Sequence, residues 1–340
     1  MNGFRIGIVG CGGIANRHIA GYRKVAYDLG EVVAGCDPNE ETLNGYCDKY
    51  DIPNRFTDAS DMIASGEVDV ISLLTPPAVR HDVIFPAIEK GIHLLVEKPF
   101  GETLSDAVSF VEAAEKAGVT LVVNHQLGFM KDVVAIRGVI DAGDIGDVRY
   151  VSHDEFQNRT RVRGWRSEEK RLEISIFSIH LIDRIRMLAG SPPERVSAVT
   201  RHWNPDVKGE TFTSLTVQFG NGTTGTMISN WHSLTLPECR LRVDGTKGTV
   251  LSLKKAVVSD EATLQVHRVD GEVETQEFYQ EDAFSMAMGE SMNHLMDCAR
   301  RGAVPLHSGR GNLYTMQIVD AAYLSAERRG EMVAVEEIGK

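Results

Sequence analysis

Phe4-Arg5-Ile6-Gly7-Ile8-Val9-Gly10-Cys11-Gly12-Gly13-Ile14-Ala15 is the stretch on which the reading of this chain turns. A short apolar run, Arg5 to Val9, ends in Gly10-Cys11-Gly12-Gly13-Ile14-Ala15, which has the form G-x-G-x-x-[GA], and a helical pattern opens directly behind it. Strand, glycine turn and helix in that order predict a phosphate-binding loop. Gly10 permits the tight turn, Gly12 lets the backbone approach a pyrophosphate, and Ala15 is small enough for helix and strand to pack closely. The N–H groups of Gly13 and Ile14 at the helix head then face the anion. The same letters recur in Gly220-Asn221-Gly222-Thr223-Thr224-Gly225, but there they join two alternating runs, and Asn-Gly between strands predicts a hairpin turn.

Outward from the first loop, short β-rich runs alternate with helix-period segments: Val32 to Cys36, Val68 to Leu74, His93 to Val96 and Val119 to Val123. Such alternation predicts a doubly wound parallel sheet, an N-terminal Rossmann domain of residues 1–123. In Ala107 to Ala117 apolar residues recur at helical spacing and Gly118 supplies the stop. Beyond about residue 150 the pattern changes to longer alternating strands, Val148 to Phe156, Val196 to Trp203, Thr213 to Phe219, Thr223 to Trp231 and Ala256 to Arg268. With helical segments at Ile174 to Leu188, Phe284 to Arg301 and Leu313 to Arg328, residues 124–340 are expected to form an α+β domain with a large, mostly antiparallel open sheet.

Composition narrows the partners. The 36 Lys+Arg against 48 Asp+Glu give a net charge of -12, which disfavours nucleic acid and anionic membranes and favours a small-molecule ligand. No window approaches the roughly 18 apolar residues of a membrane helix. Met1 leads into the first strand without a basic leader and apolar stretch, so a cytoplasmic protein is expected. Five cysteines, never spaced C-x-x-C, fit reduced thiols rather than disulfides or zinc, and no metal site is expected.

Asp37 ends the second strand 22 positions beyond Ala15, where an acidic residue would pair with the adenosine ribose hydroxyls. Pro38, Asn39 and Glu40 supply no arginine for a 2′-phosphate, so NAD is favoured over NADP; the alternative is a turn aspartate before Pro38. Thr75-Pro76 and Glu97-Lys98-Pro99 follow two successive strands at the carboxyl edge, where doubly wound sheets bind ligands. His125, just past the last Rossmann strand, is a substrate-binding candidate facing the nicotinamide pocket or else a simple crossover-loop residue. Arg159-Thr160-Arg161-Val162-Arg163-Gly164-Trp165-Arg166 is basic in an acidic chain, which makes Arg163 and Trp165 substrate-binding candidates; ion pairs with Glu168 or Glu169 explain the arginines equally well.

The phosphate loop, Thr75-Pro76 with His81 after it, Glu97-Lys98-Pro99, the helix carrying His180 and Asp183, and the closing helix Val319 to Ala326 together resemble the glucose-fructose oxidoreductase, inositol dehydrogenase and rhizopine catabolism (Gfo/Idh/MocA) family. The resemblance covers nearly the whole chain. It implies a Rossmann domain followed by an α/β domain whose sheet often mediates homodimer or homotetramer formation, and NAD(P)-dependent oxidation or reduction of a secondary alcohol on a sugar or cyclitol. It places Thr75, Pro76, His81 and Glu97 around the cofactor and Lys98 beside the nicotinamide. His180 becomes the acid/base, with the core-histidine alternative open because its neighbours are strongly apolar. Asp183 orients substrate or pairs with Arg184 or Arg186 on its own helix. Family dehydrogenases commonly carry an aspartate four positions before the histidine, where this chain has Ile176, and Glu173 shares the face too far back to reach the same hydroxyl. The resemblance also allows redox-neutral elimination or glycoside cleavage on a sugar with NAD retained, and the departure at Ile176 leaves a non-catalytic NAD-binding protein open.

Overall fold

The computed structural model describes residues 3–25 and 29–338, and the chain divides into two compact units, residues 1–129 with 284–313 and residues 130–283 with 314–340. The first contains β1 (Phe4–Val9), α1 (Ala15–Val25), β2 (Gly30–Cys36), α2 (Glu40–Lys49), β3 (Asn54–Phe56), α3 (Ala59–Ala64), β4 (Val70–Leu73), α4 (His81–Glu89), β5 (His93–Val96), α5 (Leu104–Ala117) and β6 (Leu121–Val123). Among the described residues its sheet has six parallel strands in the order β3-β2-β1-β4-β5-β6. The order reverses between β1 and β4, so the crevice for a ligand opens beyond the carboxyl ends of those two strands. Strands β4 and β6 are buried along their whole length, which explains why their sequences are continuous apolar runs rather than alternating ones. Helix α5 starts on a reciprocal cap between Thr103 and Asp106, and Gly118 ends it in the left-handed conformation at φ 68°.

The second unit contains α6 (Lys131–Asp141), β7 (Val148–Phe156), α7 (Ile179–Ala189), β8 (Pro193–Arg201), β9 (Phe212–Phe219), β10 (Thr224–Asn230), β11 (Glu238–Gly245), β12 (Gly248–Lys254), β13 (Glu261–Arg268) and β14 (Val273–Tyr279). Helix α8 (Ala283–Arg301) and helix α9 (Gly309–Glu327) follow, and β15 (Val333–Ala334) closes the sheet. Among the described residues nine strands run β14-β13-β12-β11-β7-β10-β9-β8-β15, antiparallel except for the β7–β10 pair. Helix α6 lies against β12 and β13, and α7 against β7 and β10. The α6 contact includes a buried ion pair, Asp132 Oδ1 to Lys254 Nζ at 2.8 Å. The strand expected over Ala256 to Arg268 begins only at Glu261, because Ala256 to Ser259 make a turn closed by Ser259 N–H donating to the Ala256 carbonyl. Strands β3, β11, β12, β14 and β15 were not among the sequence expectations. The second glycine motif is a hairpin turn between β9 and β10, with Gly222 at φ 84°.

Nearly all of α8 belongs to the first unit. Met292, Leu295 and Met296 pack with Ile6, Tyr22, Val70, Leu95 and Val122 in one apolar cluster. Its approach to α1 is backbone to backbone: a Cβ at Gly21 would sit 1.9 Å from the Ser285 carbonyl oxygen, and one at Gly289 would sit 2.3 Å from that of Gly21.

Candidate active site

The carboxyl edge of the parallel sheet collects most of the residues singled out in the first unit. Gly10 turns at φ 94°, and a Cβ there would press on Leu74 and Thr75, 3.2 to 3.3 Å away, so the glycine is required both by its torsion and by the loop after β4. Gly12, Gly13 and Ile14 are exposed at the head of α1, and a Cβ on either glycine would meet nothing within 4 Å. First-turn N–H groups of a helix have no intrahelical partner, so this head offers donors to an anion. Asp37 is held against the loop: one carboxylate oxygen accepts from the Cys11 N–H at 3.0 Å and the other from the Asn39 N–H at 2.9 Å.

Two buried polar atoms on the same edge, Thr75 Oγ1 and Asn124 Oδ1, have no hydrogen-bond partner among the described residues. Leaving such atoms unmade costs about 1–3 kcal/mol each, so they fit a polar ligand that completes them. With the open glycine head and the pinned Asp37, the residues present suit a dinucleotide. Pro76 is exposed beside Thr75. His81, by contrast, is about half exposed, pairs with Asp106 Oδ1 at 3.3 Å and packs on Phe85 and Phe110. His125 is buried, its Nε2 2.7 Å from Asn312 Nδ2.

Lys98 follows β5 and is half-buried; its neighbour Glu97 is buried. The Glu97 carboxylate accepts from His18 Nε2 at 3.1 Å and from Asn124 Nδ2 at 2.5 Å, while His18 Nδ1 meets the Tyr22 hydroxyl at 2.7 Å and that hydroxyl meets Ser72 Oγ at 2.7 Å. Burial alone would push Glu97 up; the hydrogen bond and charge of His18, helped by Lys98 and Asn124, overcome it and hold the carboxyl at about 2. A chain of contacts therefore ties α1, which follows the glycine turn, to the loop bearing Lys98. Arg80, also buried, adds a second tie. Its guanidinium donates to the carbonyls of Thr75 (2.8 Å), Phe100 (3.0 Å) and Pro99. Sequence reasoning missed His18 and Arg80. A histidine and a tyrosine four apart on the buried face of α1 give only a weak local signal.

In the second unit α7 presents His180, 7% exposed, and Asp183, fully buried. Asp183 Oδ1 accepts from Arg186 Nη2 at 2.9 Å and from Thr315 Oγ1 of α9 at 2.8 Å. Arg184 donates to His153 Nε2 of β7 at 2.9 Å; burial and the adjacent guanidinium hold that imidazole well below its ordinary range, neutral and able to accept. Arg163 is exposed, and Trp165 is 57% exposed beneath the Arg166 guanidinium at 4.8 Å. Ile176 packs in an apolar cluster with Leu172, Val207 and Trp231. Residues Glu173–Ser178 form a π-helical turn, so counting back four from His180 does not give an α-helical neighbour.

Among the described residues no group of three or more His, Cys, Asp or Glu is arranged to hold a metal ion, and no helix is long and apolar enough to cross a membrane. The chain is 26% identical to a D-apiose dehydrogenase from Paraburkholderia graminis over 98% of its length and 90% of the relative. It is also 26% identical to a 1,5-anhydro-D-fructose reductase from Ensifer adhaerens, over 79% of this chain and 81% of that one. In fold it matches the crystal structure of an oxidoreductase from Agrobacterium radiobacter in complex with NAD+, L-tartaric acid and magnesium, with a TM-score of 0.89 at 23% identity over 99% of both chains. A model of the oxidoreductase family with NAD-binding Rossmann fold matches residues 4–125, and one of the GFO/IDH/MocA C-terminal domain matches residues 133–251. With a glycine turn at the switch point, Asp37 clasped to it and Glu97-Lys98 one strand further along, this chain belongs to the Gfo/Idh/MocA family of oxidoreductases.

Proposed function

We propose that the protein is an NAD-dependent dehydrogenase or reductase of a secondary alcohol on a sugar-like compound, and that Lys98 and His180 carry the reaction. The observation that bears most weight is the anion seat at the head of α1 with the Asp37 carboxylate fixed over it by the Cys11 and Asn39 amides. In this reading the backbone of Gly10, Gly12, Gly13 and Ile14 holds a pyrophosphate, Asp37 holds the ribose hydroxyls, and Thr75 and Asn124 complete polar contacts deeper in the crevice. A 2′-phosphate would meet the Asp37 charge, which supports NAD over NADP. When bound, the nicotinamide supplies the hydride acceptor or donor. The protein supplies the rest. An alcohol that gives up hydride must also lose its proton, and His180 takes that proton in oxidation and returns it in reduction. Lys98, kept beside the ionised Glu97, steadies negative charge developing on the alcohol oxygen. The D-apiose dehydrogenase and 1,5-anhydro-D-fructose reductase relatives support a carbohydrate as substrate. The five cysteines, all buried free thiols, suit a cytoplasmic setting, and the nine-stranded sheet is the proposed seat of homo-oligomer formation, which light scattering will measure.

The test is a panel of sugars, cyclitols and sugar acids assayed for NADH and NADPH production. The expected result is net NADH with at least one sugar, and a loss of roughly 100-fold or more in turnover for Lys98→Ala and for His180→Ala with NAD affinity retained. Full activity in either variant refutes its role, and preference for NADP refutes that of Asp37.

A further inference from the structure

The chain leading into His180 takes a π-helical path over Glu173–Ser178 before α7 begins at Ile179. Such a turn holds one residue more than an α-helical one and survives where something local maintains it. In an α-helix, residues five apart point about 140° away from each other. Glu173 and Ser178 are five apart and their side chains meet, the Ser178 hydroxyl donating to Glu173 Oε1. Glu173 Oε2 accepts from Thr213 Oγ1 of β9. Glu173, Ser178 and Thr213 are all buried.

A second carboxylate stands at the start of the turn. Glu210 accepts from the Leu172 N–H at 3.2 Å, the Ile174 N–H at 2.9 Å and the Tyr323 hydroxyl at 2.6 Å. Arg171 stacks over the Tyr323 ring at 4.1 Å and pairs with Asp320 of α9. Glu210 thus takes the donors at the head of the turn, and Glu173 is left among hydroxyls. Burial, reinforced by the Glu210 charge, outweighs the pull of Ser178, Ser229 and Thr213 and pushes Glu173 up to about 7.

We propose that Glu173 is a positioning residue for His180: its carboxyl bridges Ser178 to Thr213, pins the π-helical turn to β9, and so sets the rotation at which the first turn of α7 presents the imidazole. The body of α7 is fastened separately, through Arg184 to His153 and through Asp183 to Thr315. Removing the extra residue's worth of path would rotate the joint by about 100°. The inference rests on the reading of His180 as proton carrier, and the test keeps the two apart.

Glu173→Leu, Glu173→Gln and Ser178→Ala are compared by kcat, by NAD affinity from fluorescence quenching, and by NMR titration of the His180 ring, its signal assigned with His180→Ala. Glu173→Leu should lose about 10- to 100-fold in kcat and move the His180 titration while NAD affinity stays within about twofold. Glu173→Gln, with the same size and hydrogen-bonding ends, should recover kcat to within about threefold of the parent, and Ser178→Ala should fall between. A folded Glu173→Leu or Ser178→Ala with parental kcat and an unmoved His180 titration overturns the proposal. Should Glu173→Leu not fold, the Ser178→Ala result alone decides between the two outcomes. Full activity in His180→Ala defeats the catalytic reading, whereas a His180 titration moved by Glu173→Leu still upholds the positioning one.

Discussion

Glu97 in the first unit and Glu173 in the second are both buried carboxyl groups next to a residue assigned to chemistry or leading into one, yet they are driven in opposite directions. Glu97 is held at about 2 because His18, Lys98 and Asn124 reward its charge more than burial penalises it. Glu173 rises to about 7 because it has hydroxyl partners and a like-charged neighbour in Glu210. Burial disfavours the charged form of both. The sign of the outcome is decided by whether a cation or only a dipole reaches the carboxyl. One carboxylate is therefore a fixed charge across the working pH range, and the other changes charge within it.

The sharpest way to break this contrast is to delete the fixed charge. Glu97→Ala strands His18 in the core and should cost about 3–5 kcal/mol in urea denaturation at pH 7; a loss below about 1 kcal/mol would mean the His18 contact carries little. Next comes the pH dependence. A carboxyl lowered to about 2 from its ordinary 4.5 contributes stability that is complete above pH 4.5 and drains away as pH falls toward 2. One raised to about 7 contributes stability that is complete below pH 4.5 and drains away as pH rises through 7. Glu173→Gln should therefore be more stable than the parent at pH 8 by about 3 kcal/mol, and no more stable at pH 4. Equal stability at both values would show that Glu173 does not change charge. A smaller effect tests the role of Lys98 in the first cluster: Lys98→Met should move the acid loss of stability toward neutral pH by less than about one unit, near 1 kcal/mol. The least effect is expected from Thr213→Val, which removes one hydroxyl from Glu173 and should cost about 1 kcal/mol at pH 6.

Legibility in the sequence followed the range of the forces involved. The glycine turn after β1, the Asp37 position and the hairpin at Gly222 are local: a torsion at Gly10, a short strand and a helix start within a dozen residues. The inner parallel strands β4, β5 and β6 were readable because burial on both faces leaves continuous apolar runs, whereas the three-residue edge strand β3, Asn54-Arg55-Phe56, has none. Strand β14 gives little signal because it is exposed along almost its whole length, whereas β11 alternates charged and buried apolar residues, as in Glu238-Cys239-Arg240-Leu241-Arg242-Val243, a half-buried strand pattern that the sequence does carry. At the candidate site, His18 and Glu97 lie 79 positions apart, and no spacing rule links them. The Glu173–Ser178 contact was hidden by the π-helical turn, since a count based on 3.6 residues per turn points two side chains five apart about 140° away from each other. Ile176 stood out as a missing aspartate, and in the structure it is a core residue of that same turn.

The backbone crossing of α8 on α1 bears on how the protein is made. During synthesis the ribosome delivers the six parallel strands early, but Met292, Leu295 and Met296, which cover Ile6, Val70 and Leu95, emerge some 170 residues after β6. The nascent nucleotide-binding unit therefore waits, with apolar surface uncovered, until the whole nine-stranded sheet save its last short strand has been translated. A side chain at Gly21 or Gly289 would bar that late docking, leaving the opening motif intact in a unit that never closes.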